Sequence, residues 1–406
     1  MSSLSIASYF PWSRVVILGQ RVSQEADLAV VDVRPDLRFA PLCNQCGAAA
    51  SRVCSHHVRA VRDLDFASAT VHLRVAYRKV YCPECRGVVV EELEQVEPWQ
   101  RVTRRLARLI HELCKVMTVA DVARHLGLDW KTVKNIDKAF LEEVYGKTDY
   151  SGLRLLAVDE IAVRKGHRYM TVVIDYETGR VVWMGQGRSK QTLAEFFAGM
   201  SQAQKDALEA VAMDMHEPYI QAVREAAAHV KIVFDLFHVV AAYERLIDRV
   251  RMSEYPKASE KEKAVFKGAR YLLLRRDLDR PEQLQHLRAL LELNETLLFV
   301  YILRDMLVRI WRYRYRAWAG RALDGWCALA RAVGHPELLR FATTLQRHRE
   351  GILNHCEHPI HNSKLEGINN KIKLIKRQAY GFRDDRYFML KVKQAFDPKY
   401  KSLFGR

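Results

Sequence analysis

Between Leu153 and Arg188 the chain reads as antiparallel strands carrying a carboxylate, and this stretch restricts the fold more tightly than any other. Leu155, Leu156, Ala157 and Val158 form an apolar run that halts at Asp159. Ile161 and Val163 follow, then a Lys165-Gly166-His167 turn, then Tyr169, Thr171, Val172, Val173 and Ile174, which is the pattern of paired strands with one buried face. Tyr176-Glu177-Thr178-Gly179 signals a second turn before Val181, Val182 and Trp183, so the three strands make a meander. An ionised carboxylate inside such a sheet costs several kcal/mol unless a cation compensates it. Asp159 is therefore either a cation ligand or a strand-end acid in solvent.

Two further apolar runs end on acids. Ala210 to Met213 leads into Asp214, and Val230, Ile232, Val233 and Phe234 precede Asp235-Leu236-Phe237-His238. Helical spacing separates them, with Leu193, Phe196 and Phe197 on one face and a second helix opening at Pro218 and Tyr219. The pattern predicts a mixed sheet that gathers carboxylates. Magnesium suits such a set, being a hard cation that takes one or two carboxylates together with phosphate oxygens and water. Asp175 fits the hairpin turn better than a metal, whereas Asp235 rivals Asp214 as the second ligand.

From about Val239 to Asn354 strand signals stop and long amphipathic patterns replace them, with Leu287, Leu290, Leu291, Leu297 and Leu298 among the positions only helix packing can bury. Arg309 to Trp318 interleaves cations with aromatics, which serves either a phosphate-binding face or arginine stems lying over apolar neighbours. Further on, Leu365, Ile368, Ile372 and Ile375 mark a last amphipathic helix carrying Glu366. Ser363 three residues earlier makes Glu366 a capping-box acid. The second reading is an acid set among phosphate-binding cations: Lys371, Lys373, Lys376, Arg377, Arg383 and Arg386 surround it, and His361 to Arg406 holds twelve Lys/Arg against four acids.

The N-terminal half carries two local signatures. Residues 2–39 read as a strand-rich lead-in, followed by Cys43-Asn-Gln-Cys46-Gly and Cys82-Pro-Glu-Cys85-Arg-Gly. Two CxxC knuckles offer four thiolates for a tetrahedral zinc site, with Val71, Leu73, Val75 and Tyr77 as an inserted strand between them. Cys54, His56 and His57 read as a surface cluster rather than ligands. So small a unit is expected to lack a core of its own and to depend on the metal for much of its folding energy. After Trp99, Val102, Leu106, Leu109, Ile110 and Leu113 fall on one helix face. Thr118 caps a second helix that Gly127 ends, and Asp129 caps a third with Val133 and Ile136 inward. This is a helix-turn-helix, whose outward Trp130, Lys131, Thr132, Lys134 and Asn135 suit the major groove or phosphates.

A net charge of +17 over 406 residues calls for a polyanionic partner, with nucleic acid as the leading candidate. No apolar run approaches the roughly 18 to 20 residues of a spanning helix, and the first twenty residues lack both a Lys/Arg cluster before an apolar core and a small-residue cleavage site, so a cytoplasmic protein with reduced cysteines is expected.

In the order of its acids, Asp159 on a first strand, Asp214 after a later one and Glu366 on a late helix beyond an all-helical stretch, the chain resembles DDE transposases with an RNase H-like core. From about residue 40 to 395 it is more specifically similar to the ISL-three family of bacterial insertion-sequence transposases. The matching motifs are the double CxxC, the helix-turn-helix, Val158-Asp159-Glu160 with Arg164-Lys-Gly-His167, Asp214-Met with Pro218-Tyr219, Asp235-Leu-Phe-His238, and His361-Asn-Ser-Lys-Leu-Glu366-Gly-Ile-Asn369-Asn. The resemblance implies an α+β multidomain chain: a zinc-ribbon region over 1–95, a helix-turn-helix domain over 99–147, and an RNase H-like mixed core over 150–240. A helical insertion would cover 241–354, and core helices with a basic tail 355–406. It implies that Asp159, Asp214 and Glu366 hold two magnesium or manganese ions roughly 4 Å apart. These would drive hydrolysis at the element end and attack of the freed 3′ hydroxyl on target DNA. Arg188, Asp235 and His238 would support the site, and Asn369 and Lys373, with Lys376 and Arg377, would reach phosphates. The expected partners are double-stranded terminal inverted repeats, target DNA and at least one further copy of the chain, at the bacterial nucleoid and away from membranes. A non-catalytic ribbon and helix-turn-helix regulator, or a nuclease without a joining step, are the rival readings.

Overall fold

Strand formation in the first part of the chain follows the alternation of small β-branched residues. The computed structural model describes residue 10 and residues 12–164, 168–275, 278, 280–360 and 363–398. The Lys165-Gly166-His167 turn, His361, Asn362 and the tail beyond residue 398 lie outside the described residues. The chain divides into two compact units, residues 1–144 and 145–400.

In the first unit, β1 (Val15–Ser23) and β2 (Leu28–Pro35) form an antiparallel hairpin. After β3 (Arg52–Arg62), the long strand β4 (Thr70–Cys82) pairs with β2 in parallel and with β3 and β5 (Gly87–Val90) antiparallel. One face buries Val31, Val33, Val61, Val71, Leu73 and Val75 under Phe10, Leu93 and Val96. This corrects the expectation of a ribbon without a core. The lead-in hairpin joins the ribbon's own sheet and adds Ala29, Val31 and Val33 to the apolar face.

The same unit holds α1 (Arg104–Leu113), α2 (Val119–Leu126) and α3 (Trp130–Tyr145), closed around Leu106, Ile110, Val122, Val133 and Ile136. Thr118 accepts the Asp121 amide at the start of α2, and Gly127 adopts a left-handed φ of 63° at its end, a geometry that costs other residues a Cβ clash. Asp129 Oδ1 then accepts the Lys131 and Thr132 amides at 2.9 and 3.3 Å to open α3. Beneath this turn Asp137 is fully buried, compensated by His111 Nδ1 at 2.7 Å.

The second unit is built on β6 (Leu155–Arg164), β7 (Arg168–Asp175), β8 (Val181–Gln186), β9 (Ala210–Met213) and β10 (Lys231–Phe234), in the sheet order β10-β9-β6-β7-β8. The expected meander is present: β6, β7 and β8 pair antiparallel in sequence, and β9 and β10 add in parallel on the other side of β6. Asp175 belongs to the second turn, where its carboxylate accepts the Glu177 amide and the Thr178 hydroxyl.

Because side chains alternate across a strand, the sheet feeds two cores. Leu156, Val158, Val173 and Val211 face α4 (Lys190–Ala198), α6 (Glu217–Ala226) and α7 (Leu236–Glu254), with the short α5 (Gln202–Asp206) nearby in sequence. That core runs on without a break into α8 (Glu260–Phe266), α9 (Ala269–Leu274), α10 (Pro281–Leu293), α11 (Glu295–Ile310), α12 (Arg316–Val333), α13 (Pro336–Arg347) and α14 (Arg349–Leu353). Ala157, Ile161, Val172, Ile174 and Ala212 face the other way, onto Leu365, Ile368 and Ile372 of α15 (Ser363–Gln378) and Phe388 and Val392 of α16 (Asp385–Ala395). The helices of residues 236–353 are tied to the outer strand: Asn354 Nδ2 donates to the Ile232 carbonyl at 2.8 Å and Trp311 Nε1 to that of Phe234 at 3.3 Å.

Candidate active site and metal centre

Strand register brings three aspartates to one place. β9 pairs with β6 so that Ala212 lies opposite Ala157, and two residues further along each strand are Asp214 and Asp159. β10 pairs with β9 so that Phe234 lies opposite Met213, which sets Asp235 beside Asp214. Parallel strands about 4.8 Å apart thus deliver three acids at the same end of the ladder. Asp235 also accepts the Phe237 amide at 3.0 Å, capping α7 and turning His238 back toward the cluster. His238 Nε2 is 3.6 Å from Asp235 Oδ2 and 3.9 Å from Asp159 Oδ1.

The electrostatics are those of acids crowded together out of water. Burial pushes the Asp235 carboxyl up to about 6; the Phe237 amide and His238 oppose this, and the charges of Asp159 and Asp214 add to it. Asp214 is raised in the same way, by burial first and then by Asp159, with His238 and His216 pulling against the shift. Among the described residues the buried Asp235 Oδ2 has no hydrogen-bond partner. An orphaned carboxylate oxygen among two further carboxylates fits a hard, oxygen-seeking divalent ion.

Asp159 is oriented from two sides: Oδ1 accepts the Glu160 amide at 2.8 Å, and Oδ2 accepts Asn369 Nδ2 at 2.5 Å. Asn369 was expected at phosphates, and its amide is here occupied by a carboxylate. Glu366 is exposed on the first turn of α15. It stands three residues before Asn369 and so on the same helix face. The described contact from α15 to Asp159 comes from Asn369 rather than Glu366. The Ser363 side chain, the other half of the expected capping box, lies outside the described residues.

Arg188 sits 3.3 Å from Glu160 and its guanidinium lies 4.4 Å from the Tyr169 ring centroid, beside the strand that carries Asp159 rather than on an aspartate. Lys373 and Arg377 are exposed on α15, and Lys376 Nζ reaches the Ala162 carbonyl at 3.5 Å. Two residues escaped the sequence reading. Glu160 is the partner of Arg188, and its position next to Asp159 was the available signal. His216 donates its backbone amide to Asp214 Oδ1 at 3.1 Å and packs edge-on against Tyr219. Only the Asp214-Met-His sequence pointed to it.

The four knuckle cysteines converge as expected, with all sulfurs within 4.8 Å of one another. Cys43 and Cys85 are 3.8 Å apart and Cys46 and Cys82 3.6 Å, matching the roughly 3.8 Å edge of a tetrahedron with 2.3 Å metal–sulfur bonds. The Gln45 and Cys85 amides donate to Cys43 and Cys82, both at 3.4 Å, which favours thiolates. His57 instead bonds Ser55 and stacks on Tyr77, so it is no zinc ligand. On α3, Trp130, Lys131 and Asn135 are exposed and Thr132 and Lys134 half-buried, a polar outer face as expected of a recognition helix.

Comparison with known proteins accounts for the whole arrangement. Residues 40–85 match the zinc-finger of transposase IS204/IS1001/IS1096/IS1165, and residues 91–141 the helix-turn-helix domain of transposase family ISL3. Residues 156–392, more than half of the chain, match the ISL3 DDE model described as a transposase. Knuckles, reading helices and gathered carboxylates together define the class of DNA transposases. The transposase for insertion sequence element IS1001 of Bordetella parapertussis is 43% identical over 360 residues, covering 87% of this chain and 88% of that protein. The transposase for insertion sequence element IS1557 of Mycobacterium tuberculosis is 26% identical over 384 residues, 87% of this chain and 85% of that one. The chain belongs to the ISL3 family of insertion-sequence transposases. No helix among the described residues is long and apolar enough to cross a membrane.

Proposed function

We propose that this transposase cuts the ends of its insertion sequence and joins the freed 3′ hydroxyls to target DNA, using Asp159, Asp214 and Glu366 on an RNase H-like core interrupted by a helical insertion. The observation that carries this reading is the register that aligns Asp159 with Asp214. The sheet order with three antiparallel and two parallel-added strands supports the fold assignment, and the helices between β10 and α15 are then the insertion. Magnesium or manganese, held by Asp159 and Asp214 with Glu366 completing the set, would supply a Lewis acid that acidifies the attacking water or hydroxyl and offsets charge on the phosphate. Asn369 holds the Asp159 carboxylate in one orientation. Asp235 is the competing ligand, and His238 moderates the charge the two strand-end acids share. Lys373, Lys376 and Arg377 hold the phosphates near the cut, while Trp130, Lys131, Thr132, Lys134 and Asn135 engage the terminal inverted repeats. In cleavage the water oxygen bonds to phosphorus as the bond to the 3′ oxygen breaks. In joining, that 3′ oxygen attacks a target phosphate and releases the neighbouring oxygen, so no external energy source is required. Zinc at the knuckles, a dimer or larger assembly pairing two ends, and residence at the nucleoid complete the proposal.

The test uses labelled element ends with magnesium. Asp159→Asn, Asp214→Asn and Glu366→Gln should each bind the ends and lose at least a thousandfold in cleavage, on the order of the rate contribution of charge stabilisation at such centres. Normal cutting by any one of them removes that residue from the site.

A further inference from the structure

The first unit contains a cleft of about 880 Å³ outside the helix-turn-helix, lined by Asn44, Arg59, Tyr77, Lys79, Trp99 and Arg101 among others. We propose that it is a phosphate-binding groove for duplex DNA, a second DNA contact beside the recognition helix. The proposal rests on the reading of the chain as a DNA-binding transposase and adds a site to it.

The groove arises where one sheet face changes character. Along β3 and β4 this face carries Val61, Leu73 and Val75 into the core, and beyond them Arg59, His57 and Tyr77, half-buried, and Lys79, exposed. Among the described residues no acid lines the cleft, although it holds three cations. Among the described residues no carboxylate pairs with Arg59, Lys79 or Arg101. Arg59 is held in place by the carbonyls of Glu97 and Pro98 and stacks over Tyr77, 5.3 Å from the ring centroid. Among the described residues its buried Nε–H has no acceptor. A fixed guanidinium with an unused donor and no counter-charge fits an oxyanion. Trp99, 85% exposed at the rim, offers a flat apolar surface to a sugar or base.

Continuity with the helix-turn-helix selects duplex DNA as the occupant. Trp99 and Arg101 lie in the segment that leads into α1, and that segment is pinned to β3 by the Arg62 amide on the Arg101 carbonyl at 2.7 Å and the Thr103 amide on the Arg62 carbonyl at 2.9 Å. Thr103 Oγ1 donates to the buried Asp63, which Arg105 neutralises. Groove and reading helices therefore share one rigid support.

The experiment measures full-length protein binding to a duplex carrying the element end and to an unrelated duplex, across a salt series. A Lys79→Ala/Arg101→Ala variant, altering two exposed side chains, should lower the slope of log affinity against log salt by about 1.8 on both duplexes, since each phosphate contact contributes about 0.9. Trp99→Ala should weaken both without changing the slope. An unchanged far-ultraviolet circular dichroism spectrum shows that the fold survives. If the unaltered chain binds DNA and the double variant keeps its slope and affinity, the groove assignment falls alone. If the unaltered chain binds neither duplex, the DNA-binding reading falls with it. Tighter binding of duplex RNA than of DNA, lost in the double variant, would overturn the choice of DNA.

Discussion

Replacing Asp235 with asparagine should stabilise the metal-free protein and weaken its stabilisation by magnesium. Asparagine caps a helix about as well as aspartate, so the Phe237 amide keeps its acceptor and only the charge is lost. The Asp235 side chain is 5% exposed and ionises near 6, against 3.8 in an unfolded chain. At neutral pH, holding that charge buried costs about 3 kcal/mol, at 1.36 kcal/mol for each tenfold change in proton affinity. The sign follows from proton counting. Between pH 3.8 and about 6 the folded state binds the extra proton, so stability falls as pH rises through that window and levels off above it. In chelator at pH 7.5, Asp235→Asn should therefore melt roughly 6 to 12 °C higher than the unaltered protein, the shift such an energy produces in a unit of this size. At pH 4 the difference should largely vanish. Saturating magnesium stabilises a protein by about 2.7 kcal/mol at a hundredfold excess over its dissociation constant, and Asp235→Asn should lose much of that. Differential scanning fluorimetry with and without magnesium reads both effects. An unchanged or lower melting point in chelator would refute the claim that the cluster stores electrostatic strain.

Asn369→Ala removes the amide that orients Asp159 and should lower end cleavage roughly 10- to 100-fold at fixed magnesium, the usual cost of losing an outer partner of a metal ligand. More magnesium should restore part of the rate, and end binding in a gel-shift assay should not change. Cys82→Ser should release zinc, measured with a metallochromic dye. Because Val31, Val61, Leu73 and Val75 form a core independent of the knuckles, the strand signal in far-ultraviolet circular dichroism should largely persist.

Features that depend on neighbouring residues were legible in the sequence. The meander, the CxxC pairs and the capped helices each carry turn, ligand or cap residues at fixed short offsets, and the chain has no cheaper way to satisfy them. What escaped reading depends on register. Nothing local states that Ala157 lies opposite Ala212, so the expectation that Asp159 meets Asp214 rested on the order of the acids along the chain, in which Asp235 figured as a rival to Asp214. The bond between Asn369 and Asp159 spans 210 residues, and an asparagine among lysines reads more naturally as a phosphate contact. The place of the lead-in hairpin in the ribbon's sheet was not legible, because parallel pairing of β2 with β4 leaves no trace in either strand alone.

The two side chains that donate to β10, those of Trp311 and Asn354, give the helical stretch they come from a further role. An outer strand offers every second carbonyl to whatever can pair with it, including another copy of the same chain. Here the Ile232 and Phe234 carbonyls, two residues apart and so on the same side, are taken by Asn354 and Trp311. Those donors act as a substitute sixth strand. A shortened element that lost residues 241–354 would thus encode more than an inactive enzyme. Its sheet would end in an open template, and the shortened chain would be prone to add to itself strand by strand.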